Sequence, residues 1–347
     1  MARRLIVLVG LTSLLCCVAS VAVAANITKG VIKIPHVGTE IDVVSSPYLA
    51  LTQTFKSIVE SRTDGRFKVE SYPNKQLGDM QDTMEQCARG MVWATASQNS
   101  GTLATVFPEV QALEIPYLFE TTELGLKVLN GPYGKELDER IAKKTGLRML
   151  AWLPSSFRNF SNNVRPIHTP ADMEGLRIRC MTVPIHMSMV KALGAAPTPI
   201  SWSELYTALQ TGVVDGQENA PYVVILGKLQ EVQKYYSLDH HLLNIALFMM
   251  NEKFFKSLSP EDQWTMQYAG RQAQLAFLGV IKATESMDLK TLGKSMKINA
   301  VSPANFAKFK AAAQPAVIEE LKKEIDPKEI DALFQAVKAA EEELGMR

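Results

Sequence analysis

Along this chain, runs in which apolar side chains recur every second residue alternate with runs in which they recur every third or fourth. Residues 31–34, Val-Ile-Lys-Ile, are the first short strand pattern. Over 47–60, Leu51, Phe55, Ile58 and Val59 fall on one helical face, and Asp64-Gly65 then turns the chain into an alternating run at 67–72 that Pro73 closes. Strand, helix and strand within that length predict a βαβ unit. A helix over 79–89 ended by Gly90, a strand over 91–96, a helix around 137–144 and a strand over 146–153 continue the alternation. The pattern predicts an α/β fold with a mostly parallel sheet. Ser259-Pro260-Glu261-Asp262 is a strong helix start, with a capping serine, a first-turn proline and acids at the positive dipole end. Helical spacing then runs to about residue 289, interrupted only by Gly270 and Gly279, and a charge-laced run at 315–344 reads as a solvated packing helix.

The densest patterning lies at 175–221. From Gly175, Leu176, Ile178 and Cys180 alternate with Arg177 and Arg179, so the two arginines share one strand face. Ser201 and Glu204 have capping-box spacing, which starts a helix just after Ser201 and lets Gly212 stop it. A short apolar strand, Val213-Val214, then leads into Asp215-Gly216-Gln217-Glu218-Asn219.

Residues 1–25 carry Arg3 and Arg4, an apolar run and Ala22-Val23-Ala24, the layout of a secretory signal peptide rather than of a membrane span. The whole chain has 37 basic and 36 acidic residues; without the two leader arginines the balance is 35 to 36, so no basic field points to nucleic acid or a membrane surface. Of four cysteines, Cys87 and Cys180 remain after the leader, each within an apolar pattern that suits separate buried thiols. Roughly 320 residues then suffice for two domains.

Catalytic signatures are missing from the sequence. No G-x-S-x-G, G-x-G-x-x-G or H-E-x-x-H occurs, and Gly131-Pro132-Tyr133-Gly134-Lys135 is a turn into a helix rather than a phosphate loop. The histidines, His36, His168, His186, His240 and His241, fall at no metal-ligand spacing, and all but His36 read as surface or capping residues. No metal or cofactor is expected. By residue type, the sharpest candidates are Arg158 and Arg179, whose planar forks match a carboxylate, and Asn219, whose amide both donates and accepts. Solvated surface is the ordinary fate of an arginine, and a strand-end turn that of an asparagine.

Several motifs shift that balance. Gly-Leu-Arg-Ile-Arg at 175–179, Ala-Pro-Thr-Pro-Ile-Ser-Trp-Ser-Glu-Leu-Tyr-Thr-Ala-Leu-Gln at 196–210, Val-Asp-Gly-Gln-Glu-Asn at 214–219, Tyr72-Pro73 with Gln76-Leu77-Gly78, Ile115-Pro116-Tyr117 and Ser161-Asn162 occur in one order. Together they resemble the periplasmic solute-binding subunits of TRAP (tripartite ATP-independent periplasmic) transporters, the DctP-like family. The resemblance implies a two-lobed periplasmic-binding-protein fold of class II-like α/β type, with hinge strands near 154–160 and 239–244 and a long helix spanning both lobes. It divides the chain into a first lobe, 26–155 plus about 245–284, and a second, 156–244 plus about 285–347. It implies a periplasmic carrier, not an enzyme, that holds a small organic anion, a carboxylate or sulfonate, between the lobes and delivers it to the membrane permease subunits. By the same resemblance Arg179 clamps the ligand carboxylate, Arg158 and Asn219 assist, and Arg177 stays solvated. Trp202 covers the ligand's apolar part, a role that competes with stapling the helix behind it. His36 and Gln98, at strand carboxyl ends, add specificity contacts. The uncharged run Ser97-Gln98-Asn99-Ser100-Gly101 argues against a polyhydroxylated sugar acid and, with Trp93 and Trp202, for a smaller or more apolar anion. The rival reading is an exported enzyme acting on a small organic acid, for which Glu114 and Asp215 are the isolated candidates.

Overall fold

A computed structural model of the chain describes residues 27–346. The predicted leader at 1–25 lies outside the described residues. In chain order the strands are β1 (Gly30–Pro35), β2 (Phe67–Tyr72), β3 (Ala94–Asn99), β4 (Leu147–Asn162), β5 (Arg177–Cys180), β6 (Ala196–Pro199), β7 (Gly216–Asn219), β8 (Tyr235–Asn251) and β9 (Lys297–Ala300). β1 and β2 pair in parallel around the helix Pro47–Arg62, forming the predicted βαβ unit.

The other seven strands form one sheet in the order β3-β8-β4-β7-β5-β6, with β9 also on β8. It is mixed rather than mostly parallel: β8 runs antiparallel to β3 and β4, and β7 antiparallel to β4, while β5–β6, β5–β7 and β8–β9 are parallel. Two long strands cause this. β4 and β8 pair with each other from Leu147 opposite Asn251 to Asn162 opposite Tyr235. At one end β8 adds β3 through residues 246–250, and at the other it adds β9 through 235–238, while β4 adds β7 only at 159–162. The pair therefore runs through two separate groups of strands, and its register shifts between Pro154 and Phe157 and between Arg158 and Phe160. Both strands are buried on both faces along nearly all their length, which is why neither shows a regular alternation of apolar and polar residues.

The helix Pro260–Leu292 is capped by the Ser259 hydroxyl, which accepts from the Asp262 N–H at 3.1 Å. Its 33 residues rise about 50 Å, and it packs against the helix Pro47–Arg62, against β4 and against the helix Pro221–Leu226. Three sequence expectations need correction. β3 begins at Ala94 rather than 91, so Gln98 lies within the strand; Val213-Val214 precedes β7 instead of forming it; and the C-terminal run is two helices, Pro303–Glu324 and Pro327–Glu343. Extended Ile325 separates these helices, and the Asp326 side chain restarts the second by accepting from the Lys328 N–H. No helix among the described residues is long and apolar enough to cross a membrane.

Candidate ligand-binding site

A cavity of about 210 Å³ opens where β3, β4, β5 and β7 converge. Five of the six sequence-predicted residues line it: Arg158, Arg179, Asn219, Trp202 and Gln98. His36 does not. It is buried one side chain back, bonded to Glu40 and Ser71 at 3.1 and 3.0 Å and stacked on Tyr48, which does line the cavity.

On β5, Arg177 and Arg179 part company despite their shared phase. Arg177 is exposed and grips Asp215 through Nη2 and Nε at 2.6 and 3.1 Å, which absorbs one of the two enzyme candidates. Arg179, one strand pair deeper, is 3% exposed, and its Nε donates to the Ile200 carbonyl at 2.8 Å. Its Nη1 and Nη2 meet no acceptor among the described residues, which leaves four N–H donors on a buried cation at the cavity wall. Burial lowers its pKa to about 10; Glu218 counters this and Arg158 adds to it.

Arg158 comes from β4, between the two register shifts. It is committed elsewhere for the most part: Nε and Nη2 form a fork on the Glu218 carboxylate at 2.5 and 2.8 Å, Nη2 also donates to the Glu218 carbonyl, and Nη1 donates to Asn244 Oδ1 at 3.0 Å. One Nη1 donor remains. Burial opposes the charge, and the Glu218 carboxylate outweighs it, so the guanidinium stays firmly protonated.

β7 delivers the remaining pieces by alternation. Asn219 faces the cavity, its amide turned to Gln217 at 2.6 Å, while Glu218 points to the opposite side. Gly216 allows this strand to lie on β4, because a Cβ there would sit 2.1 Å from the Ser161 carbonyl oxygen. Behind Arg158 a buried network continues: His241 approaches Glu218 at 3.3 Å and bonds Asp239 at 2.8 Å, and Asp239 also accepts from the Tyr117 hydroxyl. His186 bonds Glu114, the other enzyme candidate, and lies 3.9 Å from Glu218. Burial resists ionisation of Glu218, yet Arg158 and His241 hold its carboxyl far below the usual range. Burial likewise opposes the charge of His241, but Asp239 and Glu218 push its pKa up to about 9.

The expectation that His186 and His241 are surface or capping residues is therefore wrong: both are fully buried among carboxylates. Sequence reasoning also missed Glu218, Asn244 and Tyr222. One signal for Glu218 was available, since three consecutive polar residues in a strand buried on both faces must each find a partner.

Gln98 lines the cavity with its amide already engaged, Nε2 donating to Thr83 and Thr95 at 2.9 and 3.0 Å. Both threonine hydroxyls donate to main-chain carbonyls, which fixes the amide's orientation. Trp93 stacks on Phe254 at 4.0 Å and is not part of the lining, so the sequence argument for an apolar ligand loses one of its two indoles. The lining also includes Asp79, Gln81, Asp82, Asn99 and Thr102 beside Met80 and Met181. Cys87 and Cys180 are separate buried thiols, the latter pushed up to about 12 by burial. Among the described residues no group of His, Cys, Asp or Glu is placed to hold a metal ion.

Comparison with known proteins agrees with this architecture. Residues 39–324 match the family model described as bacterial extracellular solute-binding protein, family 7. A solute-binding protein of Roseobacter denitrificans is 31% identical over 326 residues, 94% of this chain and 97% of that protein. The structure is similar to a TRAP periplasmic solute-binding protein of Polaromonas sp. JS666 bound to D-erythronate, with a TM-score of 0.80 and 30% identity over 88% of this chain and 98% of that one. It is also similar to the sugar acid-binding protein DctPAm of Advenella mimigardefordensis in complex with galactonate, with a TM-score of 0.83 and 27% identity over 90% and 99% of the two chains. With its mixed sheet, paired long strands and arginine-lined cleft, the chain belongs to the bacterial extracellular solute-binding proteins of family 7, the solute-binding subunits of TRAP transporters.

Proposed function

We propose that this protein is a periplasmic carrier that captures a small hydroxylated carboxylate between two lobes and delivers it to a TRAP permease, without transforming it. The observation that carries this reading is Arg179, a buried cation with four donors free at the cavity wall. A carboxylate placed there receives a bidentate pair from Arg179, the spare Nη1 donor of Arg158 and the Asn219 amide. Glu218 forms its ion pair with Arg158, so among the described residues Arg179 is the clamp guanidinium without an ion-pair partner, which suits a single carboxylate. Asp79 and Asp82 in the lining can accept hydroxyl hydrogens, Gln98 adds its amide to the wall, and His36 braces Tyr48. Trp202 covers the carbon chain. A volume of about 210 Å³ suits a short acid rather than a drug-sized ligand, for which pockets of about 300–1,000 Å³ are usual. The two lobes are taken as 26–155 plus about 245–284 and 156–244 plus about 285–347, with β4 and β8 as the hinge. Both enzyme candidates are committed to structural partners, Glu114 to His186 and Asp215 to Arg177, which favours the carrier over the exported-enzyme reading.

The test is calorimetry of the purified protein with D-erythronate, galactonate and their uncharged alditols, followed by chromatography of the recovered acid. Two charge-assisted bonds at about 1.5–3 kcal/mol each predict that Arg179→Ala weakens acid binding by about 10²- to 10⁴-fold. Equal binding of acid and alditol, or chemical conversion of the acid, would overturn the proposal.

A further inference from the structure

A second cavity, about 260 Å³, adjoins the first and shares Val37, Trp202 and Leu226 with it. The Trp202 indole is thus a common wall. It rests on Gly227, where a Cβ would lie 2.7 Å from Trp202 Cη2, so the ring fills the space that any side chain at 227 would need. Among the described residues no carboxylate lines this outer chamber, and its one cation is Lys75. The Lys75 ammonium has no hydrogen-bond or ion-pair partner among the described residues. Its root is firmly placed: Asn74 and Lys75 both adopt left-handed backbone, φ 54° and 61°, and their N–H groups donate to the carbonyls of Gly38 and His36 at 3.1 and 3.2 Å. The other polar side chains are neutral, and the Tyr206 hydroxyl is turned away to Glu231 at 3.0 Å.

We propose that Trp202 sets the ligand's length: it walls the carboxylate clamp off from the outer chamber, where Lys75 would otherwise receive a distal anionic group, and so makes the protein select monoacids. The proposal rests on the anion-clamp reading above. With Trp202 in place the protein selects monoacids; with the wall removed the two chambers join, and a linear diacid can put one carboxylate on Arg179 and the other near Lys75. Trp202 is in this sense a length gauge, and Lys75 reads a distal group only once that wall is gone.

Galactonate and galactarate provide a matched pair, sharing a six-carbon hydroxylated chain and differing only in a terminal hydroxymethyl against a carboxylate. Each is titrated by calorimetry into the wild-type protein, Trp202→Ala, and Trp202→Ala combined with Lys75→Ala. The affinity for galactarate relative to galactonate should rise at least tenfold in Trp202→Ala and fall back in the double variant. A ratio unchanged by Trp202→Ala overturns the wall, and a rise that survives Lys75→Ala overturns the anionic subsite. Trp202→Leu replaces the alanine variant if the latter melts early, with the same two outcomes. Failure of the clamp itself would show separately, as equal galactonate affinity in wild type and Arg179→Ala; failure of the outer subsite leaves that difference intact.

Discussion

Replacing Arg179 with methionine should make the ligand-free protein more stable while abolishing its binding. The guanidinium is 3% exposed and has one protein acceptor, the Ile200 carbonyl. Its pKa falls from 12.5 to about 10, chiefly through burial. At about 1.4 kcal/mol per tenfold change in proton affinity, that lowering corresponds to a penalty of about 3 kcal/mol, present at every pH below about 10. Methionine has similar length and no charge, so it removes the penalty. It also removes the bond to Ile200, which as a charge-assisted bond contributes about 1.5–3 kcal/mol. The net is a stabilisation of about 1 kcal/mol, consistent with the general finding that well-packed apolar replacements of buried charge are neutral or stabilising. For a chain of this size that amounts to a rise in melting temperature of about 2–4 °C. Differential scanning calorimetry without ligand, paired with titration by D-erythronate, measures both halves. A fall in melting temperature would show that Arg179 is a structural residue, and retained binding would show that the anion is held elsewhere.

Three further outcomes follow from the same network. Glu218→Gln leaves Arg158 and Arg179 without their buried counter-charge and should destabilise the protein by about 3–5 kcal/mol, seen as an early denaturant midpoint. His241 has a folded-state pKa raised to about 9, so its contribution to stability is complete below about 6.5 and is lost as the pH rises through about 9; the melting temperature should drop across that window, and His241→Gln should flatten the drop. Gly227→Ala places a methyl 2.7 Å from Trp202 Cη2 and 3.1 Å from Leu229 Cγ; it should displace the indole, shift tryptophan emission and weaken D-erythronate binding about tenfold.

Much of the frame was legible because it is local. β1, the helix after it, β2 and the capped start of the helix Pro260–Leu292 are all written within a few residues of themselves. β4 and β8 were harder: strands buried on both faces lose the alternation that marks a strand, so their true lengths were hidden. β7 broke the apolar rule altogether, since Gln217, Glu218 and Asn219 are buried only because each has a polar partner. Arg177 and Arg179 share a phase on the strand, and the residues that separate their fates, Asp215 and Ile200, come 38 and 21 positions later. The hydrogen bonds of His186 and His241 show the same thing at longer range, with Glu114 lying 72 positions before His186. Periodicity carries no information about such partners.

The pairing of β4 with β8 also sets an order on folding. Leu147 meets Asn251 across the sheet, so β4 must wait for about a hundred further residues before its longest neighbour exists. A chain cut before residue 235 could complete the β1–β2 unit, yet it would lack the strand that joins β3 to β4. Arg158 would then lack Asn244, the acceptor of its Nη1 hydrogen bond. Binding competence is therefore a late event in the life of each molecule, since it requires β8 to be in place between β3 and β4.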